Sequence, residues 1–165
     1  MIPSFGQFAS NRRFGLSERR VILSDELEQW LARHVELVQR GKVNQGDAQK
    51  KLRLAERNLE RAKRNLPVDA DEALINAETA MVNAADAVLA ADGFRLRGKT
   101  GSHKARFEYP GLPVGFVDHA AYIERARSLR TMAMYDQPDF VSKDEASRLL
   151  SIAEELVDSV RRRSR

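Results

Sequence analysis

All nine glycines and all five prolines of this 165-residue chain fall at 3–15, 41–46, 67, 93–101, 110–115 and 138. These are the residues that most readily end a helix or turn a chain, so their clustering limits where long elements can run. In the intervals between them, apolar residues recur every three or four positions, which is the helical period. No stretch alternates apolar and polar residues between turn pairs, so the expected fold class is all-α.

Five helices follow from that spacing. The first begins at Ser24 or Asp25, where Asp25 and Glu28 form a capping-box pattern, and carries Leu27, Trp30, Leu31, Val35 and Val38 up to Gly41. The second covers 47–66 on Leu52, Ala55, Leu59, Ala62 and Leu66, and Pro67 ends it. The third covers 70–92 on an Ala-rich stripe that permits close helix approach, and Gly93 stops it. The fourth covers 118–135, and the fifth opens at Ser142 with Glu145 three residues on, a full capping box. Four amphipathic helices between 47 and 160 suffice for a bundle. The expected organisation is an N-terminal arm over 1–23, mobile or partner-bound, an extra helix and linker over 24–44, and a bundle over 45–165.

Charge is segregated along the chain, and that is more informative than the net +4. Residues 45–66 hold seven bases and three acids; 67–92 hold six acids and no Lys or Arg; 93–108 hold five bases and one acid. The acidic stretch reads as a solvated or partner-facing surface. The absence of Cys excludes disulfides, thiol nucleophiles and Cys-based metal centres, and only His34, His103 and His119 are present, so no metal or cofactor is expected. No apolar run approaches the ~18 residues of a membrane span, and a cytoplasmic protein is expected.

Three groups of residues are candidates for function. The stretch 93–106 brings Arg95, Arg97, Lys99, His103, Lys104 and Arg106 together with Gly98 and Gly101. Such a stretch is either a solvated connection or a basic contact surface for phosphate, nucleic acid or an acidic protein. Gly93-x4-Gly98-Lys99-Thr100 matches a P-loop letter for letter. A P-loop, however, leaves a buried strand and opens a helix, and here an Ala-rich helix precedes it. The second group is Arg127, Arg130 and Tyr135, with Arg127 and Arg130 on one helix face. Arg130 lies toward the core, where it either pairs with Asp136 or an acid of the third helix or contacts a ligand. The third group is Phe5, Phe8, Arg12, Arg13 and Phe14 of the arm, with Trp30 as either partner anchor or packing residue.

The order of these pieces resembles the HEPN family of small helical-bundle proteins. The resemblance runs from Ala48 to Val160: a Leu/Ala/Arg helix, an Ala-rich helix, Ser102-His103, Arg130-x4-Tyr135 and a final Leu-rich helix after Ser142. It implies a four-helix HEPN-like bundle, pairing as a homodimer and membership of prokaryotic toxin–antitoxin or defence modules, often beside a nucleotidyltransferase. It also implies a ribonuclease site made of an Arg and a His four to six residues on. Here Tyr135 stands in place of that His, and a phenol with a reference pKa near ~10 cannot shuttle protons near neutrality. His119 and His103 do not repair the motif locally. The expectation is therefore a non-catalytic, antitoxin-like component that binds a nucleotidyltransferase-type partner. The alternatives are a ribonuclease toxin using Arg127, Arg130 and Tyr135, and a plain RNA-binding bundle.

Overall fold

The computed structural model describes residues 16–135 and 137–165, with side chains from residue 24 onward. Its elements are α1 (Leu16–Arg33), β1 (Val38–Arg40), α2 (Gln45–Asn65), α3 (Ala70–Ala91), β2 (Phe94–Leu96), α4 (Ser102–Phe107), α5 (Gly115–Asp118), α6 (Ala120–Tyr135) and α7 (Lys143–Arg163). The fold is a helical bundle, as expected, and no helix among the described residues is long and apolar enough to cross a membrane.

Local chemistry starts the long helices where the sequence indicates. The side chains of Asn44, Asp69 and Ser142 accept hydrogen bonds from the backbone N–H of Asp47, Glu72 and Glu145 at 2.9, 3.0 and 3.1 Å, opening α2, α3 and α7. α3 is the centre of the bundle and packs against α2, α7, α6 and α4. Its Ala73, Ala77, Ala80, Ala84 and Ala85 are fully buried, so neighbouring backbones approach closely, while Leu74, Met81 and Val88 fill the space between them. Leu149, Ala153, Leu156, Val157 and Val160 of α7 close the core from the other side.

Four features differ from the sequence-based expectation. α1 starts at Leu16 rather than at Ser24–Asp25, because no glycine or proline lies between Gly15 and Gly41 and the helix continues through the apparent cap. It ends at Arg33, and Val38–Arg40 pairs antiparallel with Phe94–Leu96 instead of extending the helix. The turn into β2 needs a glycine: Gly93 has φ 84°, and a Cβ there would sit 2.9 Å from the Gly41 carbonyl oxygen. The expected fourth helix is α6, and a short helix, α5, precedes it over 115–118, outside the expected elements. The stretch 93–106, expected as a loop, holds β2 and α4.

Trp30 explains why the N-terminal helix is tied to the bundle. It is fully buried, its Nε1–H donates to the Ala105 carbonyl at 2.8 Å, and it meets Tyr109 and Phe94 at ring-centroid distances of 4.8 and 5.7 Å. His34, one turn on, contacts Glu108 at 2.8 Å. The partner-anchor role for Trp30 is thus corrected: a buried indole with a satisfied N–H has no surface left to offer. Phe5, Phe8, Arg12, Arg13 and Phe14 lie outside the described residues, as does Asp136. Trp30→Ala should cost about 3–5 kcal/mol of stability in urea denaturation. A loss below ~1 kcal/mol would mean that α1 is not held by this contact.

Candidate functional site

The acids of α3 determine where the site forms. A carboxylate taken out of water needs a partner, and three acids on this buried helix each recruit one from a different element. Asp86 Oδ1 accepts from Arg106 Nε of α4 at 2.7 Å. Asp92 accepts from Tyr109 Oη at 2.6 Å and from Arg163 Nη2 of α7 at 2.8 Å to both oxygens. Burial, and then the bond to Asp92, push the Tyr109 hydroxyl far above its ordinary range. Glu78, the most buried acid of the three with a side chain 4% exposed, holds Arg130 Nη1 of α6 at 2.5 Å. Near the start of α3, Asp71 accepts from the backbone N–H of Val141 at 2.8 Å, just before α7. Asp71, Glu78, Asp86 and Asp92 are therefore internal wiring, which corrects their reading as a solvated or partner-facing surface; Asp69 and Glu72 remain exposed.

Around the Glu78–Arg130 pair lies a cavity of about 230 Å³ lined by Glu78, His103, Arg127, Arg130, Thr131, Met134 and Tyr135. The fold thus brings His103 of α4 to the Arg127–Arg130–Tyr135 group of α6, although 24 residues separate His103 from Arg127 in sequence. Arg127 is half-exposed and 3.5 Å from Glu124, and Tyr135 is exposed. Arg130 is held further by its own helix, its Nε–H reaching Met134 Sδ at 3.4 Å.

His103 lines this cavity, but one of its ring nitrogens is turned away from it. Its Nε2 is sealed from solvent and has no hydrogen-bond partner among the described residues; its Nδ1 lies 3.9 Å from Glu78 Oε1, and its ring tilts against Phe107 at 4.8 Å. Burial, reinforced by the positive charges of Arg127, Arg106 and Arg130 and opposed by Glu124, lowers its pKa to about 4. Near neutrality the imidazole is uncharged. The cavity offers guanidinium and phenol groups to a ligand, together with an uncharged imidazole whose Nε2 is sealed.

The remaining candidates fall apart in space or are already committed. Arg95, Arg97 and Lys99 are exposed on β2 and the turn after it, and Lys104 is exposed on α4 near Glu108 at 3.8 Å. Arg106 is consumed by Asp86, which corrects its place among the phosphate contacts. Glu78 is the acid of the third helix that the sequence offers as a partner for Arg130, though it was not singled out there. The signal was present: it sits four residues after Leu74 and three before Met81, on the apolar stripe, where an acid demands a counter-charge. No group of three or more acids and imidazoles suited to a metal occurs among the described residues.

An Ala-rich helix at the centre of a bundle, with a guanidinium–carboxylate pair at its flank and a small cationic cavity beside it, defines a compact class of helical-bundle protein. The model of the HEPN domain matches residues 48–163, and the chain belongs to that family. A search of curated proteins finds no match.

The buried imidazole makes stability depend on pH with a definite sign. Its folded pKa lies below the unfolded value of 6.5, so between them the unfolded chain binds more protons. The contribution is present above pH 6.5 and is lost as pH falls toward about 4. The loss over that window should be on the order of 2–3 kcal/mol. In His103→Phe the denaturation midpoint should vary less over the same window; an unchanged profile would mean that His103 titrates normally.

Proposed function

We propose that this chain is a non-catalytic HEPN-domain component of a prokaryotic toxin–antitoxin or defence module. In this reading it is antitoxin-like, acts in the cytoplasm, pairs with a second copy of itself and binds a nucleotidyltransferase-type protein. The observation that carries the non-catalytic part is the state of His103: it is the imidazole beside the arginine pair, its Nε2 is sealed, and its pKa is depressed to about 4. General acid–base catalysis near pH 7 asks for a group that reaches the substrate and titrates close to the working pH.

Binding is supported by what borders the cavity. Met134 and Tyr135 of α6 line it and are exposed, and Phe140, Val114, Val117 and Tyr122 are exposed elsewhere on the surface. Exposed aromatic and apolar side chains next to cations are the usual material of a protein interface. The family's frequent association with nucleotidyltransferases supports the identity of the partner, and Phe5, Phe8 and Phe14 with Arg12 and Arg13 would add anchors to it.

A second reading is favoured by one observation, the gathering of Arg127, Arg130, Tyr135 and His103 in a single cavity. As a ribonuclease toxin, the chain would hold the scissile phosphate with Arg127 and Arg130 while Tyr135 orients the attacking hydroxyl.

Expression with and without an adjacent nucleotidyltransferase gene separates these readings. The binding reading predicts normal growth on solitary expression and co-purification of the two proteins. It also predicts that Tyr135→Ala weakens the complex at least tenfold, and that deleting residues 1–15 weakens it further. Growth arrest on solitary expression that Arg127→Ala abolishes, with cleavage of RNA by the purified protein, would overturn it. Arg127 is the better probe than Arg130, whose removal strands a buried carboxylate and lowers stability directly.

A further inference from the structure

Once α3 has claimed its counter-charges, a row of cations is left over on α2. Lys50, Arg53, Arg57, Arg61 and Arg64 are all exposed and follow one another by three or four residues. At about 100° per residue they fall within a wedge of roughly 80°, and the row is about 21 Å long. It lies on the side of the helix away from the buried Ala48, Ala55, Leu59 and Ala62. The ion pairs that α2 makes to other elements use other residues: Glu56 with Arg161 at 2.8 Å and Lys63 with Glu154 at 3.0 Å. None of the five forms an ion pair among the described residues.

Such a row opposes folding slightly. Arg53, Arg57 and Arg61 are successive i,i+4 like-charge neighbours, each pair costing about 0.2–0.5 kcal/mol on an exposed helix. The row contributes nothing to the core, so its chemistry is directed outward.

We propose that the outer face of α2 binds the phosphate backbone of nucleic acid without reading its sequence. Four of the five cations are Arg, whose planar guanidinium matches phosphate oxygens in a bidentate manner. α2 contains no aromatic residue on which bases would stack, so contact is to phosphate and carries no sequence information. An acidic protein is the poorer occupant, because a protein interface needs apolar anchors at its centre. The exposed large apolar side chains of the described residues all lie outside α2. This face is separate from the cavity beside Glu78, and the proposal stands whether that cavity binds a protein or cleaves RNA.

The test uses the full chain and two fluorescent probes, a 20-nucleotide oligouridine and a 20-base-pair duplex, titrated by anisotropy from 50 to 200 mM salt. For the single strand, each phosphate neutralised contributes about 0.7 to the slope of log affinity against log salt. Arg53→Gln/Arg57→Gln/Arg61→Gln should reduce that slope by about 2 and weaken binding at least tenfold at the lowest salt. Its melting temperature should be unchanged or slightly raised, which separates lost binding from lost folding. The charge-matched Arg95→Gln/Arg97→Gln/Lys99→Gln should keep the wild-type slope within ~1. The probe that loses more affinity in the α2 variant identifies the preferred strand form. Three results would overturn the proposal: no binding by the wild type at 50 mM salt, loss of binding only in the 95–99 variant, or displacement of RNA by polyglutamate at equal charge.

Discussion

Three carboxylates on one buried helix have to be compensated, and much of the remaining structure follows from how that is done. Glu78 and Asp86 lie along α3 and Asp92 caps its C-terminus, and the buried face of the helix is otherwise alanine and other apolar residues. Asp86 fixes α4 through Arg106, Glu78 fixes α6 through Arg130, and Asp92 fixes the end of α7 and the 109–111 turn through Arg163 and Tyr109. Apolar burial supplies the driving force for a bundle but does not by itself select the register of each helix on α3. The ion pairs do that, because a one-turn slip would leave a desolvated charge without its partner.

The same constraint shapes the site. Arg130 faces inward because Glu78 holds it, and burial, reinforced by the cations gathered around that pair, keeps the neighbouring His103 neutral. A cavity built in this way is suited to binding: it presents Arg127 and Tyr135 with an uncharged imidazole whose Nε2 is sealed. Electrostatic compensation inside the bundle also determines which charge remains outside, and the row on α2 is the part of the strongly basic 45–66 segment that no carboxylate answers among the described residues. A net charge of +4 is small for the whole chain, yet it is concentrated by this internal pairing.

What could be read from the sequence follows from range. α2, α3 and α7 were legible because their signals are local: apolar stripes in all three, Pro67 and Gly93 as terminators of α2 and α3, and the Ser142 cap of α7. Family membership was legible for a related reason, since the order of Ser102-His103, Arg130 and Tyr135 survives in one dimension. The ribbon of β1 and β2 was not, because it depends on pairing across more than fifty residues and on Trp30 docking under β2 and α4. α1 was misplaced at its start because a plausible cap at Asp25 was given more weight than the absence of any breaker after Gly15. The meeting of His103 with Arg127 was invisible for the same reason as the ribbon: it is a property of how α4 and α6 lie on α3, and Glu78 was the one residue whose position hinted at it.

The most direct measurement is a double-mutant cycle on Glu78 and Arg130, with Glu78→Gln, Arg130→Gln and the pair compared by urea denaturation. If this ion pair anchors α6 and organises the site, the two changes should couple by about 1.5–3 kcal/mol, with the double variant more stable than the sum of the single losses predicts. A coupling below ~0.5 kcal/mol would show that the two side chains act independently, and would contradict the account of how this bundle places its functional residues.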